Sequence, residues 1–179
     1  MNDKIPSRKE ALNIMKQLKL RKHIIRHVKT VSKKALEIAE KINQNGHPVN
    51  LALVEIGALL HDIGRSRTNK IEHGIEGGKI ILELGLSKKL ARIAETHLLG
   101  GIDENYAKIL GFPERSYLPE TLEEKIVCYA DKLVKGQKDV SVRERFKIWR
   151  SRFGDTLLLN DSESNIRKIE EELNQMMNK

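Results

Sequence analysis

Residues 51–60, LALVEIGALL, are apolar on every side except at Glu55, and His61 and Asp62 follow at once. Asn50 can cap the segment, which predicts a helix over 51–61. A helix that is apolar all round is stable only when protein surrounds it, so the remaining elements have to enclose it. Its far end then carries an imidazole and a carboxylate into the interior. An ionised carboxylate there is unfavourable unless it is paired or bound to a metal.

The chain holds enough amphipathic helix for that enclosure. Ser7 and Glu10 form a capping box that predicts a helix over 7–18. A second helix is predicted over 23–45, with Val28, Val31, Ala35, Ile38, Ala39 and Ile42 at helical spacing and Asn45-Gly46 as its stop. Further helices are predicted over 72–84, 87–98, 121–134 (opened by a Thr121/Glu124 capping box), 140–153 and 162–177. Residues 99–120 hold Gly100, Gly101, Gly111, Pro113 and Pro119, and read as a mostly irregular surface segment with one short helix. No strand-like alternation, internal repeat or linker is visible. The expected fold is all-α, a compact multi-helix bundle. It is read as one domain over 1–179, with a core at about 20–135 and helices 7–18 and 140–177 packed on it.

Composition narrows the class. Hydrophobic residues at 39% and charged residues at 32% exclude a disordered chain and a membrane protein. Aromatics at 4% leave the core to Ile, Leu, Val and Ala. Cys128 stands alone, which excludes an intrachain disulfide framework and a Cys-rich zinc module. The stretch at 51–60 is too short to span a bilayer, and the polar N-terminal run lacks the apolar core of a signal peptide, so a cytoplasmic protein without membrane association is expected. The net charge is +8, and the first 50 residues carry 12 basic and 4 acidic side chains while the rest carries 21 of each. That end either meets something anionic or is a solvated helical face.

Polar groups on four of the predicted helices stand at or beside apolar faces. His61-Asp62 ends the buried segment, His27 lies on the stripe of Val31 and Ala35, His97 sits beside Leu90, Ile93 and Ala94, and Asp131 is spaced with Val127 and Val134. Each alone is compatible with a hydrogen-bonded core residue or a cap. Together they are satisfied at once by a metal centre, since neutral imidazole and carboxylate suit Zn, Mn, Fe, Co or Ni.

His27, then His61-Asp62-Ile63-Gly64, then Ala130-Asp131-Lys132 resembles the H…HD…D pattern of the HD-domain metal-dependent phosphohydrolases, over about residues 20–135. The resemblance implies an all-α bundle with His27, His61, Asp62 and Asp131 as ligands of one divalent metal. His73 and His97 match the two extra histidines of the family's two-metal branch, where Asp62 would bridge the ions. The implied activity is hydrolysis of a nucleotide or another small phosphate ester by a metal-activated water. Asp62 is also expected to orient the water. Arg65 is the first candidate to grip the substrate phosphate and Lys132 the second, because phosphate needs a cation close by.

Other residues read as structural. His23 belongs to a basic helix face, His47 to a loop, and Cys128 to the core; Gly74–Gly78 follows no strand and is no phosphate-binding loop. Val142, Phe146, Trp149 and Phe153 form a stripe read as core or as a homodimer face, and Arg143, Arg145, Arg150 and Arg152 on the same helix keep anion binding as a minor reading. Specificity is expected in loops 65–72 and 99–120. The alternatives are a phosphodiesterase acting on cyclic nucleotides or RNA ends, a two-iron oxygenase of the same family, and a non-catalytic nucleic-acid-binding or regulatory helical protein with a structural metal. Binding of nucleic acid is not favoured, because no helix-turn-helix, RRM or zinc-finger pattern is present.

Overall fold

The fold is assembled around the apolar segment. A computed structural model describes residues 3–178, and the remaining three positions of the expected domain lie outside the described residues. Helix α3 (Leu51–Leu60) is capped by the Asn50 side chain, which accepts from the Leu53 N–H. Seven of its ten residues are buried, among them Leu53, Val54, Ile56 and Leu59. Helices α1 (Arg8–Gln17), α2 (Lys22–Gln44), α5 (Lys88–Thr96) and α7 (Leu122–Lys132) pack around it. Each fully buried Leu or Ile in that packing contributes about 1.5–3 kcal/mol. The close approach of α5 depends on Gly57, where a Cβ would lie 2.6 Å from Ile93 Cδ1.

The outer helices complete the bundle. Helix α4 (His73–Glu83) pairs with α5, and α9 (Leu157–Met177) crosses α2 and α7 and carries α8 (Val142–Phe153). One apolar cluster runs from Ala11 and Met15 on α1 to Ile169 and Leu173 on α9. The architecture is all-α, as the periodicity and the resemblance imply. Among the described residues no helix is long and apolar enough to cross a membrane.

Several boundaries depart from expectation. Ser7 and Glu10 form the reciprocal capping box, but at Thr121 the reciprocal arm is missing: the Glu124 carboxylate accepts from the Glu120 N–H instead. The last helix begins at Leu157 rather than 162, because the Thr156 hydroxyl caps the Leu159 N–H and joins Leu157–Leu159 to it. Helix α7 stops at Lys132, and a hairpin that was not expected follows, β1 (Val134–Lys135) against β2 (Lys138–Asp139). Segment 99–120 does hold one short helix, α6 (Glu104–Ile109). It is more than surface, though, since Leu98, Ile102, Ala107, Phe112 and a fully buried Tyr117 form a second apolar cluster with Ile75.

Candidate metal centre

The six candidate ligands reach one place from six points of the chain, mostly at helix ends. His61 is the C-cap of α3, still in helical conformation, and Asp62 opens a short 3₁₀ turn, Ile63–Ser66. His73 starts α4, His97 ends α5, Asp131 lies in the last turn of α7, and His27 sits in the second turn of α2. All are buried except His27, which is half-buried. Helix ends suit the task, because the chain there can turn a side chain inward without interrupting a packed face.

Second contacts set the tautomer of every histidine in the cluster. Nδ1 of His61 meets the Ala58 carbonyl at 2.7 Å, Nδ1 of His73 the Lys70 carbonyl at 2.7 Å, Nδ1 of His97 the Ala94 carbonyl at 2.7 Å, and Nδ1 of His27 the Gly136 carbonyl at 3.1 Å. A carbonyl only accepts, so each Nδ1 carries a proton, and Nε2 is the nitrogen that each ring turns toward the cluster. The four Nε2 atoms meet each other and two carboxylates. His73 and His97 approach to 3.1 Å, and they lie 3.1 and 3.6 Å from Asp62 Oδ1. His61 lies 3.8 Å from Asp62 Oδ2 and 3.6 Å from Asp131 Oδ1, which His27 approaches to 2.9 Å.

Imidazole nitrogens and carboxylates crowded in this way call for a cation among them, a proton or a metal ion. His61 Nε2 is fully buried and has no hydrogen-bond partner. Ligands about 2.0–2.2 Å from an ion lie roughly 3–3.5 Å from one another, close to the spacings here. Two overlapping sets have ligand atoms within 4.8 Å, namely His27, His61 and Asp131, and His61, Asp62 and His97. The residues present therefore fit a divalent ion.

The electrostatics agree. Burial works against ionisation of Asp62, but His61, His73, His97 and Arg65 outweigh it and hold its carboxyl well below the usual range. Burial is likewise outweighed at Asp131 by Lys132, His27 and His61. Burial pushes the His97 imidazole down to about 3, so it is neutral and ready to coordinate. Burial also opposes protonation of His61, yet Asp62 and Asp131 raise its pKa overall. A proton is the smallest cation this cluster can recruit.

The two expected phosphate-binding cations differ in placement. Arg65 is part-exposed at the cavity, and its Nε donates to Asp62 Oδ1 at 2.7 Å. Lys132 is 1% exposed, and its Nζ donates to Asp131 Oδ2 at 2.7 Å and to the His97 carbonyl at 2.6 Å. It touches two arms of the cluster rather than standing on the surface. Cys128 is buried, and burial pushes its thiol up to about 11, in keeping with core filling.

Five of the six candidate ligands, all but the fully buried His61, line a cavity of about 530 Å³. Asn69, Lys70 and Ile71 line it from the loop expected to confer specificity, but Leu99 alone does so from segment 99–120. Much of the remaining lining, Arg145, Trp149, Arg152 and Phe153 from α8, reads in the sequence as core or a dimer face, with anion binding only a minor reading; Thr156, Leu158 and Leu159 beyond it, which also line the cavity, are not singled out by it. The α8 stripe is divided. Val142 and Phe146 are core, whereas Trp149 is half-buried and Phe153 is exposed. The alternation of Arg with aromatic residues over 145–153 was the available signal. The basic first 50 residues, by contrast, contribute His27 alone to the lining.

Comparison with known proteins places this geometry in a family. The family model for the HD domain matches residues 24–136. The uncharacterized protein MJ0778 of Methanocaldococcus jannaschii is 45% identical over 166 residues, which cover 89% of this chain and 98% of that one. A tRNA (cytidine(56)-2'-O)-methyltransferase of Picrophilus torridus is 38% identical over 169 residues, 94% of this chain but 47% of the relative, so the chain spans about half of that protein. Among solved structures, the HD domain of the L. monocytogenes phosphodiesterase PgpH shares the fold, with a TM-score of 0.53 at 20% identity over 91% of this chain and 98% of that one. The same domain in complex with cyclic-di-AMP gives 0.54 at 19% identity over 93% and 98%. With 113 residues matched and the H…HD…D residues gathered at one point, this chain belongs to the HD domain family.

Proposed function

We propose that the chain is a metal-dependent phosphohydrolase that acts on a nucleotide or another small phosphate ester. The observation that carries this reading is the meeting of four imidazole Nε2 atoms and two carboxylates beside a cation-lined cavity. His27, His61, Asp62 and Asp131 would hold one divalent ion, of Mn, Fe, Co, Ni or Zn. His73 and His97 would hold a second, with Asp62 spanning the two, since its Oδ1 faces His73 and His97 and its Oδ2 faces His61. Bound there, such ions lower the pKa of a coordinated water and offset charge on a phosphoryl group.

The chain's own residues do the rest. Asp62 is fixed by Arg65 and can orient a water. The Arg65 guanidinium, held through Nε, keeps its terminal nitrogens for phosphate oxygens. Lys132 fixes Asp131 and the His97 backbone, and so acts on the substrate through the ligands.

A phosphodiesterase acting on a cyclic nucleotide or on an RNA end is the second reading. The PgpH domain with its cyclic-di-AMP and the relatives named for tRNA modification favour it. A non-catalytic nucleic-acid-binding role is the reading from another class.

The test is metal analysis of the purified protein, followed by a phosphate-release screen with that metal on mono- and diesters. His61→Ala and Asp62→Ala are expected to lose bound metal and turnover together. Wild-type metal content in both variants would sink the site. Salt-dependent binding of generic RNA without turnover of any ester in Mn²⁺, Co²⁺ or Ni²⁺ would favour the non-catalytic reading.

A further inference from the structure

The HD match ends at residue 136, yet seven of the residues that line the cavity beside the candidate metal ligands lie beyond it. Helix α8 carries arginines in two conditions. The Arg150 guanidinium is bonded to Asp155, Asn160 and Glu163. Arg145 and Arg152 line the cavity, and among the described residues their guanidinium groups make no hydrogen bond. The Arg145 side chain is 15% exposed, its Nε is buried without a partner, and its nearest carboxylate oxygen, Asp131 Oδ1, is 3.9 Å away. Its charge packs over the Trp149 ring, 5.0 Å from the centroid. A buried Nε–H without an acceptor is unfavourable by itself, and an anion in the cavity can satisfy it.

Trp149 adds a different chemistry to the same wall. Its indole is braced edge-on by Phe146, with centroids 5.0 Å apart at 81°, and Phe153 and Leu158 extend the apolar surface. Arg145 thus stands between a metal ligand and an aromatic face. A phosphoryl group at the ligands comes within its reach, and a flat ring attached to that phosphate meets the face.

We propose that α8 is a nucleotide-recognition wall, in which Arg145, with Arg152 beside it, grips phosphate and Trp149 with Phe153 stacks on the base. The substrate is then a nucleoside phosphate rather than a sugar phosphate. This rests on the phosphohydrolase reading for where the reacting phosphate lies, but the binding needs no metal.

Trp149 is the chain's one tryptophan, so its fluorescence reports directly on this wall. The full chain, kept in EDTA at low salt, is titrated with the four ribonucleoside 5'-monophosphates, ribose 5-phosphate and inorganic phosphate. At least one nucleotide is expected to quench saturably and to bind about tenfold tighter than ribose 5-phosphate, a modest stacking contribution. Arg145→Met is expected to weaken the nucleotide and ribose 5-phosphate alike by tenfold or more, and Arg145→Lys by less, because an ammonium offers no fork. Arg152→Ala, at an exposed position that the fold does not depend on, is expected to weaken both. Arg143→Ala, exposed and outside the cavity, serves as the control and should change nothing. By calorimetry, Trp149→Leu is expected to bring nucleotide affinity down to that of ribose 5-phosphate, while Trp149→Phe retains most of the difference. The proposal is overturned if no nucleotide outbinds ribose 5-phosphate, or if Arg143→Ala weakens binding as much as Arg145→Met. Release of phosphate from p-nitrophenyl phosphate by the metal-loaded protein tests the hydrolase reading separately, since that ester carries no nucleobase.

Discussion

At Gly64 the turn after Asp62 touches the start of α4. A Cβ there would lie 1.9 Å from the His73 carbonyl oxygen and 2.5 Å from the Gly77 nitrogen, both backbone atoms that cannot swing aside. Gly64→Ala is therefore expected to destabilise the protein by about 3 kcal/mol and to weaken metal binding, because His73 and Asp62 would be pushed apart. Chemical unfolding with a metal titration checks both, and a fully stable variant would refute the contact. Lys132 gives a prediction whose size depends on metal. Lys132→Met keeps the buried stem but leaves Asp131 as a buried charge short of a partner, a loss of about 3–5 kcal/mol. A bound divalent cation takes over that neutralisation, so the loss should shrink when metal is present. Urea midpoints in EDTA and in Mn²⁺ compare the two, and an equal loss in both would mean that Lys132 does not share its task with a metal. That His27, His61, Asp62, His97 and Asp131 meet could be read from the sequence, because polar residues on apolar faces stand out, whereas His73 comes only from the family resemblance. The role of Lys132 could not, because burial of a lysine beside an aspartate leaves no mark on hydrophobic spacing.

The β1–β2 hairpin shows what a short element can do. Gly136 adopts φ +66° at the first loop position, and its carbonyl holds Nδ1 of His27. A Cβ there would meet nothing within 4 Å, so Gly136→Ala is expected to lower stability by only about 1 kcal/mol, the penalty of a left-handed residue. Its effect on metal affinity should be larger, about tenfold, because the carbonyl that orients a ligand ring moves. Isothermal titration with Mn²⁺ measures the second effect against thermal melts for the first; unchanged affinity would show that His27 needs no such support. Helices of ten or more residues could be found from their period and caps. Strands of two residues carry no period at all, and a cap such as Thr121 signals a helix start without saying which backbone N–H its acidic partner will take. Helix α8 was found as a helix, but its aromatic stripe was read as one face. The structure splits it between the core at Phe146 and the cavity at Trp149, a division that depends on where α9 lies.

The candidate ligands come from α2, the ends of α3 and α5, the turn after α3, α4 and α7, and α9 contacts both α2 and α7. We propose on this ground that the chain unfolds as one cooperative domain, with α8 and α9 integral to it. The apolar cluster reaching from Ala11 to Leu173 supplies the continuity that such behaviour requires. A metal that binds the folded state alone then raises the stability of the whole, by about 2.7 kcal/mol at a hundredfold excess over its dissociation constant. Two probes divide the question. Far-ultraviolet circular dichroism follows all helices, whereas Trp149 fluorescence follows α8, which lies beyond the matched residues. If the domain is single, the two melting curves coincide in EDTA and move upward together when Mn²⁺ is added. A Trp149 transition at lower temperature that metal leaves in place would mean that α8 and α9 detach on their own. The cavity would then lose its aromatic wall before the metal ligands separate.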